Sequence, residues 1–154
     1  MSASTEVAPL NLEDSQPTTN SHREAIETVI ASLDQNDSAL VHHTKAGHIW
    51  KFQYGSVEVF IQLTGESDED ILKVWSPVLQ LPVKDEVGLM RKLLAMNWSE
   101  TLETCFAIAN ERVYVICQRT VADLSPGEIS RAITLVATIA DENDEALQEA
   151  FAEK

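Results

Sequence analysis

The chain has 154 residues, 44% of them hydrophobic, which is enough for one domain with a real core and too few for two. Eleven basic residues against 25 acidic ones leave a formal net charge of -14, so a phosphate backbone would be repelled and nucleic acid is not an expected partner. No basic head followed by an apolar run opens the sequence, and the most apolar stretch, Ile133 to Ala140, is too short to cross a bilayer; the expected location is the cytoplasm, with no membrane partner.

Residues 1–20 contain Pro9, Pro17 and several Ser and Thr with few large apolar side chains, a composition that does not repay its ordering entropy, so a disordered tail is expected there. Residues 21–154 read as a single domain. Ser21-His22-Arg23-Glu24 has the form of a capping box, and Ala25, Ile26, Val29, Ile30 and Leu33 follow at helical spacing, predicting a first helix that ends near Asn36.

His48 to Tyr54 and Val57 to Leu63 alternate about Gly55-Ser56, the mark of a two-residue hairpin turn. Such a turn pairs Tyr54 with Val57, Phe52 with Val59 and Trp50 with Ile61, gathering the large apolar residues on one face, the core side. After the acidic loop Gly65 to Asp70, a third strand places Leu72 and Val74 inward and Ile71, Lys73 and Trp75 outward. Pro77 is expected to end or bend this strand at a sheet edge, and Pro82 to impose an extended approach to the next element.

Val87, Met90, Leu93, Leu94 and Trp98 suggest the apolar stripe of a second helix, with Arg91 and Lys92 off it. Cys105 to Ala109 and Val113 to Arg119 form a second hairpin about Asn110-Glu111-Arg112. A three-residue loop would set Cys105 opposite Cys117; a two-residue loop would put them on opposite faces. Two buried thiols are the plain reading, a redox-sensitive pair the sharper one. Ser125-Pro126-Gly127-Glu128 is a capping box with proline at the first helical position, and Ile129, Ala132, Ile133, Val136 and Ala140 form the buried stripe of a third helix. Asp141 to Asp144 either breaks that helix before Leu147 and Phe151 or lies within it. The order α-β-β-β-α-β-β-α means an α+β domain, an antiparallel five-stranded sheet with helices on one face.

Little in the sequence points to catalysis. His42, His43 and His48 lack the spacing of a metal set and read as solvated turn histidines. Asp68 to Asp70 and Asp141 to Glu145 lack the glycine and terminal glutamate of a calcium loop and read as a solvated loop and helix end. Neither metal nor cofactor is expected, and no nucleophile sits beside a base in a recognisable motif, so the chain is not expected to be an enzyme. The outward sheet face is more informative, because Ile49, Phe60, Ile71 and Trp75 stand there among Lys51 and Lys73. That mixture marks a candidate partner surface.

Gly55-Ser56-Val57-Glu58-Val59, Trp75-Ser76-Pro77-Val78-Leu79-Gln80-Leu81-Pro82, Leu93-Leu94-Ala95-Met96-Asn97-Trp98 and Leu124-Ser125-Pro126-Gly127-Glu128-Ile129 together resemble the YbjN-like domain family, named for bacterial sensory transduction regulators. They resemble more closely a small cyanobacterial group related to it. The resemblance runs from about His22 to Phe151. It implies the type III secretion chaperone-like fold, whose members usually act without catalysis, dimerise and bind an extended segment of another protein; it supplies no catalytic residues. The expectation is a non-catalytic protein-interaction module acting as a homodimer on a protein partner. The alternative is a small-ligand sensor with a pocket between sheet and helices lined by Trp50, Tyr54 and Trp98.

Overall fold

The computed structural model describes residues 18–153; the expected disordered tail, apart from its last three residues, lies outside them. Helix α1, Thr18–Leu33, takes in those three residues, so Ser21 stands inside the helix instead of capping it. The helix stops at Leu33, short of Asn36. Asp34 explains why: its carboxylate accepts from the backbone N–H groups of Ser38 at 2.8 Å and Ala39 at 2.9 Å and from the Ser38 hydroxyl at 2.7 Å, bending the chain away.

The sheet has six antiparallel strands in the order β1-β2-β3-β4-β6-β5, not the expected five. The added strand is β1, Leu40–Thr44, paired with β2, Gly47–Tyr54, from Leu40 opposite Lys51 to Thr44 opposite Gly47. All five of its residues are exposed, so it lacks the alternation of burial that marks the other strands. The histidines are therefore strand residues and not turn residues. His43 and His48 face each other across the ladder, Nδ1 to Nε2 3.2 Å, and the His48 ring stacks on Trp50 with centroids 5.6 Å apart. Burial, then the charges of Arg23 and His43, hold His48 below the ordinary imidazole range.

Strand β3, Val57–Leu63, meets β2 in the expected register, with Tyr54 opposite Val57 and Trp50 opposite Ile61. Trp50, Phe52, Val59 and Ile61 are all buried. Gly55 adopts φ 56°, and a Cβ there would collide with the Asp141 carboxylate of the helix above.

Strand β4, Ile71–Gln80, buries Leu72 and Val74 and turns Ile71, Lys73 and Trp75 outward, as alternation predicts. It is an interior strand, lying between β3 and β6, and it continues through Pro77 with a register shift between Pro77 and Leu79; the proline bends the strand and marks no sheet edge. Continuing the β3 pairing past Phe60 opposite Trp75 sets Pro77 against Glu58. Proline has no N–H to offer there, and the buried Ser76 hydroxyl donates to the Glu58 carbonyl at 2.6 Å instead.

Helix α2, Glu86–Ser99, is capped by Asp85, whose carboxylate accepts from Gly88 N–H at 3.0 Å. Its buried face is Leu89, Leu93 and Met96, rotated from the expected stripe: Val87, Leu94 and Trp98 are 72%, 68% and 91% exposed. Strands β5, Cys105–Ala109, and β6, Arg112–Thr120, are joined by a two-residue turn, Asn110-Glu111, with φ 50° and 61°. Cys105 therefore lies opposite Ile116 and is exposed, while Cys117 is buried on the other face. This is the two-residue alternative, in which the thiols do not face each other, and it corrects the reading of two buried thiols. Burial holds the Cys117 thiol above its ordinary range.

Helix α3, Pro126–Phe151, starts at the expected capping box, with Ser125 Oγ accepting from Glu128 N–H and Glu128 accepting from Ser125 N–H. It runs 26 residues without a break. Asp144 is buried, contrary to a solvated helix end: Ser56 Oγ lies 2.9 and 2.8 Å from its two carboxylate oxygens and 3.0 Å from Asp141 Oδ1. Helices α1 and α3 cover the inner face of the sheet, and the core lies between them.

Candidate functional site

Strand alternation leaves a second face of the sheet, away from α1 and α3, and the registers place its side chains without ambiguity. Leu40, Lys51, Phe60, Trp75, Ile116 and Cys105 stand opposite one another in turn, a single row across all six strands. A second row beside it carries His42, Ile49, Gln62, Lys73 and Gln118. All six residues expected at a partner surface, Ile49, Lys51, Phe60, Ile71, Lys73 and Trp75, occur on this face, each partly buried by its neighbours. Tyr114 and Ile116 belong with them and were missed. The inward alternation of Val113, Val115 and Cys117 was the signal that could have found them.

The centre of the face is aromatic. Phe60 and Trp75 stack with centroids 5.5 Å apart and planes 10° from parallel, and the Lys73 ammonium lies 5.7 Å from the centroid of the Trp75 ring. Lys51 reaches Glu58 at 3.6 Å. Beside Trp75, a depression of about 240 Å³ is lined by Lys73, Ala107, Tyr114 and Ile116 among others. Such a surface offers flat aromatic area, a shallow receptacle for one side chain and two cations in an otherwise acidic molecule, which suits recognition better than bond-making chemistry.

The pocket expected between sheet and helices does not form from the residues named for it. Trp50 is buried with its indole N–H donated to Glu27 at 3.0 Å, whereas Trp98 is almost wholly exposed on α2, so the two line no common space. A groove along α3, about 490 Å³ between Cys117, Leu135 and Ala132, is rimmed by Arg131 and Arg119, already paired with Glu103 at 2.7 Å and Glu128 at 3.3 Å. No group of three or more His, Cys, Asp or Glu side chains among the described residues is placed to hold a metal. Among those residues, too, no helix is long and apolar enough to cross a membrane.

Residues 22–149 match the model of the YbjN family, described as "Putative bacterial sensory transduction regulator". No curated protein matches the sequence. A chain in the crystal structure of the ExsC-ExsE complex is similar at 15% identity and TM-score 0.58, over 84% of this chain and 95% of that one. The likeness is one of fold, the fold that the resemblance implied, with the strand count corrected to six.

Proposed function

Because the chain belongs to the YbjN family, we propose that it is a non-catalytic protein-interaction module, chaperone-like or regulatory, that works in the cytoplasm as a homodimer and receives a segment of a partner protein on the outer face of its sheet. The observation that carries this reading is the row Lys51, Phe60, Trp75 and Ile116, a stacked aromatic pair between a lysine and an isoleucine on a face that no described helix covers. The structural neighbour, itself solved as a complex, supports a protein partner. The fitting segment is apolar with acidic residues, since Lys51 and Lys73 flank the aromatic centre while the chain as a whole carries -14.

The test is affinity purification of the full chain from its native host, in parallel with Phe60→Ser and Trp75→Ser. Aromatic anchors are the usual hot spots, so each change is expected to weaken partner retention by about tenfold or more. Each change forfeits the stack, about 1 kcal/mol, and the apolar area its half-buried ring covers besides, so thermal unfolding should stay cooperative at a lowered melting temperature. Retention of the same partners by both variants would refute the assignment of this face.

A further inference from the structure

Strand β1 sets two imidazoles face to face. His43 stands opposite His48 in the β1–β2 ladder, the rings 4.4 Å apart at 67°, with His43 Nδ1 3.2 Å from His48 Nε2. Two nitrogens bound at about 2.0–2.1 Å to one tetrahedral ion are themselves about 3.3 Å apart, so the rings already stand at the separation that a shared ion imposes. The outward nitrogens, His43 Nε2 and His48 Nδ1, have no hydrogen-bond partner among the described residues. Each can therefore carry the proton of a neutral ring and leave the facing lone pair to a cation.

The pair is held on one side and open on the other. The His48 ring stacks on Trp50 at 5.6 Å and 22°, and Trp50 is itself fixed, buried and donating to Glu27 at 3.0 Å. Strand β1 is a sheet edge whose five residues are all exposed, so ions in solution reach His43. The carboxylates of Glu27 and Glu66 favour positive charge at His48 and Arg23 opposes it, while the net charge of -14 enriches cations around the whole chain. His42 stands opposite Ile49 on the other face of the sheet and takes no part.

From this geometry we infer that His43 and His48 form a two-histidine site for a late first-row divalent cation, copper(II), nickel or zinc, with its remaining coordination positions open to water or to a ligand from outside the chain. Imidazole nitrogen suits these ions, whereas magnesium and calcium take oxygen. The spacing of the two histidines matches no helical or loop metal motif; strand pairing alone creates the site. The inference is independent of the partner surface on the outer sheet face.

Isothermal titration of the untagged full chain with zinc chloride at about pH 7.5, beside His43→Ala, His48→Ala and His42→Ala, tests it. The wild type should bind one equivalent. Losing a ligand costs at least as much as losing a group that merely orients one, so His43→Ala and His48→Ala should each weaken binding by about tenfold or more, and His42→Ala should leave it unchanged. Copper(II) should bind more tightly than zinc, and magnesium should not compete. His43 is exposed, so His43→Ala should leave circular dichroism and melting temperature as they are, which separates loss of binding from loss of fold. In the wild type, zinc should shift the imidazole proton resonances of His43 and His48 and not those of His22. No binding at about 1 mM zinc, an affinity that survives both His43→Ala and His48→Ala, or an equal loss in His42→Ala would each overturn the site.

Discussion

Ser56→Ala probes the joint between the β2–β3 hairpin and helix α3. The hydroxyl lies within 3.0 Å of Asp141 Oδ1 and of both carboxylate oxygens of Asp144, and Asp144 is only 3% exposed. A hydrogen bond to a charged group contributes about 1.5–3 kcal/mol, and a buried carboxylate left without a donor forfeits that and part of its solvation. The substitution should therefore destabilise by about 2–3 kcal/mol, which for a chain of this size lowers the melting temperature by about 4–12 °C. Adding Asp144→Asn removes the stranded charge, so the double variant should be more stable than Ser56→Ala by about 1 kcal/mol. Urea denaturation followed by the fluorescence of buried Trp50 measures both. A Ser56→Ala protein within about 0.5 kcal/mol of the wild type, or a double variant no better than the single, would show that the hydroxyl does not hold the carboxylate.

Two further outcomes follow from the backbone and the loops. Glu111 holds a left-handed conformation, φ 61°, while its carbonyl accepts from Leu81 N–H and Gln80 Nε2, both at 3.0 Å; Glu111→Gly keeps those bonds and should stabilise by about 1 kcal/mol, raising the melting temperature about 2–4 °C, whereas a lower one would contradict the strain. Acid should loosen the loops after α1 and β3 first. Asp70 is held below the ordinary 3.8 by hydrogen bonds from Ser67 and Thr64, and at Asp34 partial burial pushes upward but bonds from Ser38, Asn36 and Ala39 outweigh it. Each contribution is complete above the unfolded value and is lost as pH falls through the lower folded one, so hydrogen-exchange protection relative to the free-peptide rate in 34–39 and 64–71 should fall below about pH 4. Equal protection at pH 3 and pH 6 would refute it.

How much of this was legible depended on whether one physical rule governed each element. The β2–β3 register followed from Gly55-Ser56 alone, because a two-residue turn and a two-residue period leave one solution. Ile49, Lys51 and Phe60 of the outer face came with it. The start of helix α3 was readable from its capping box and the stripe that follows, but its passage through Asp141 to Asp144 was not, because four polar residues look the same at a helix end and on an exposed turn. Helix α2 was not, because it is apolar on two faces: Leu89, Leu93 and Met96 compete with Val87, Leu94 and Trp98 at the same spacing, and only the packing decides. Strand β1 escaped because Leu40-Val41-His42-His43-Thr44 buries nothing, so no period marks it. The cysteine geometry turned on whether Glu111 would accept a left-handed conformation, which is a weak preference in sequence and becomes favourable once its carbonyl has two donors.

The Asn97 carboxamide of α2 accepts from Phe106 N–H at 2.7 Å and donates to the Phe106 carbonyl at 3.3 Å, occupying the β5 edge at that residue, with a consequence for the chain in a crowded solution. Growth of a cross-strand stack into a fibre requires every unit to offer a free edge on both sides, one to accept and one to donate. Here one side answers an incoming strand with an occupied amide at Phe106, while the other, β1, ends in the exposed Leu40 and Val41. Among the described residues, a strand approaching at β5 therefore meets a pair of ladder groups already taken at Phe106 and must forgo those bonds, whereas one approaching at β1 meets no such obstacle, so growth in both directions at once is disfavoured.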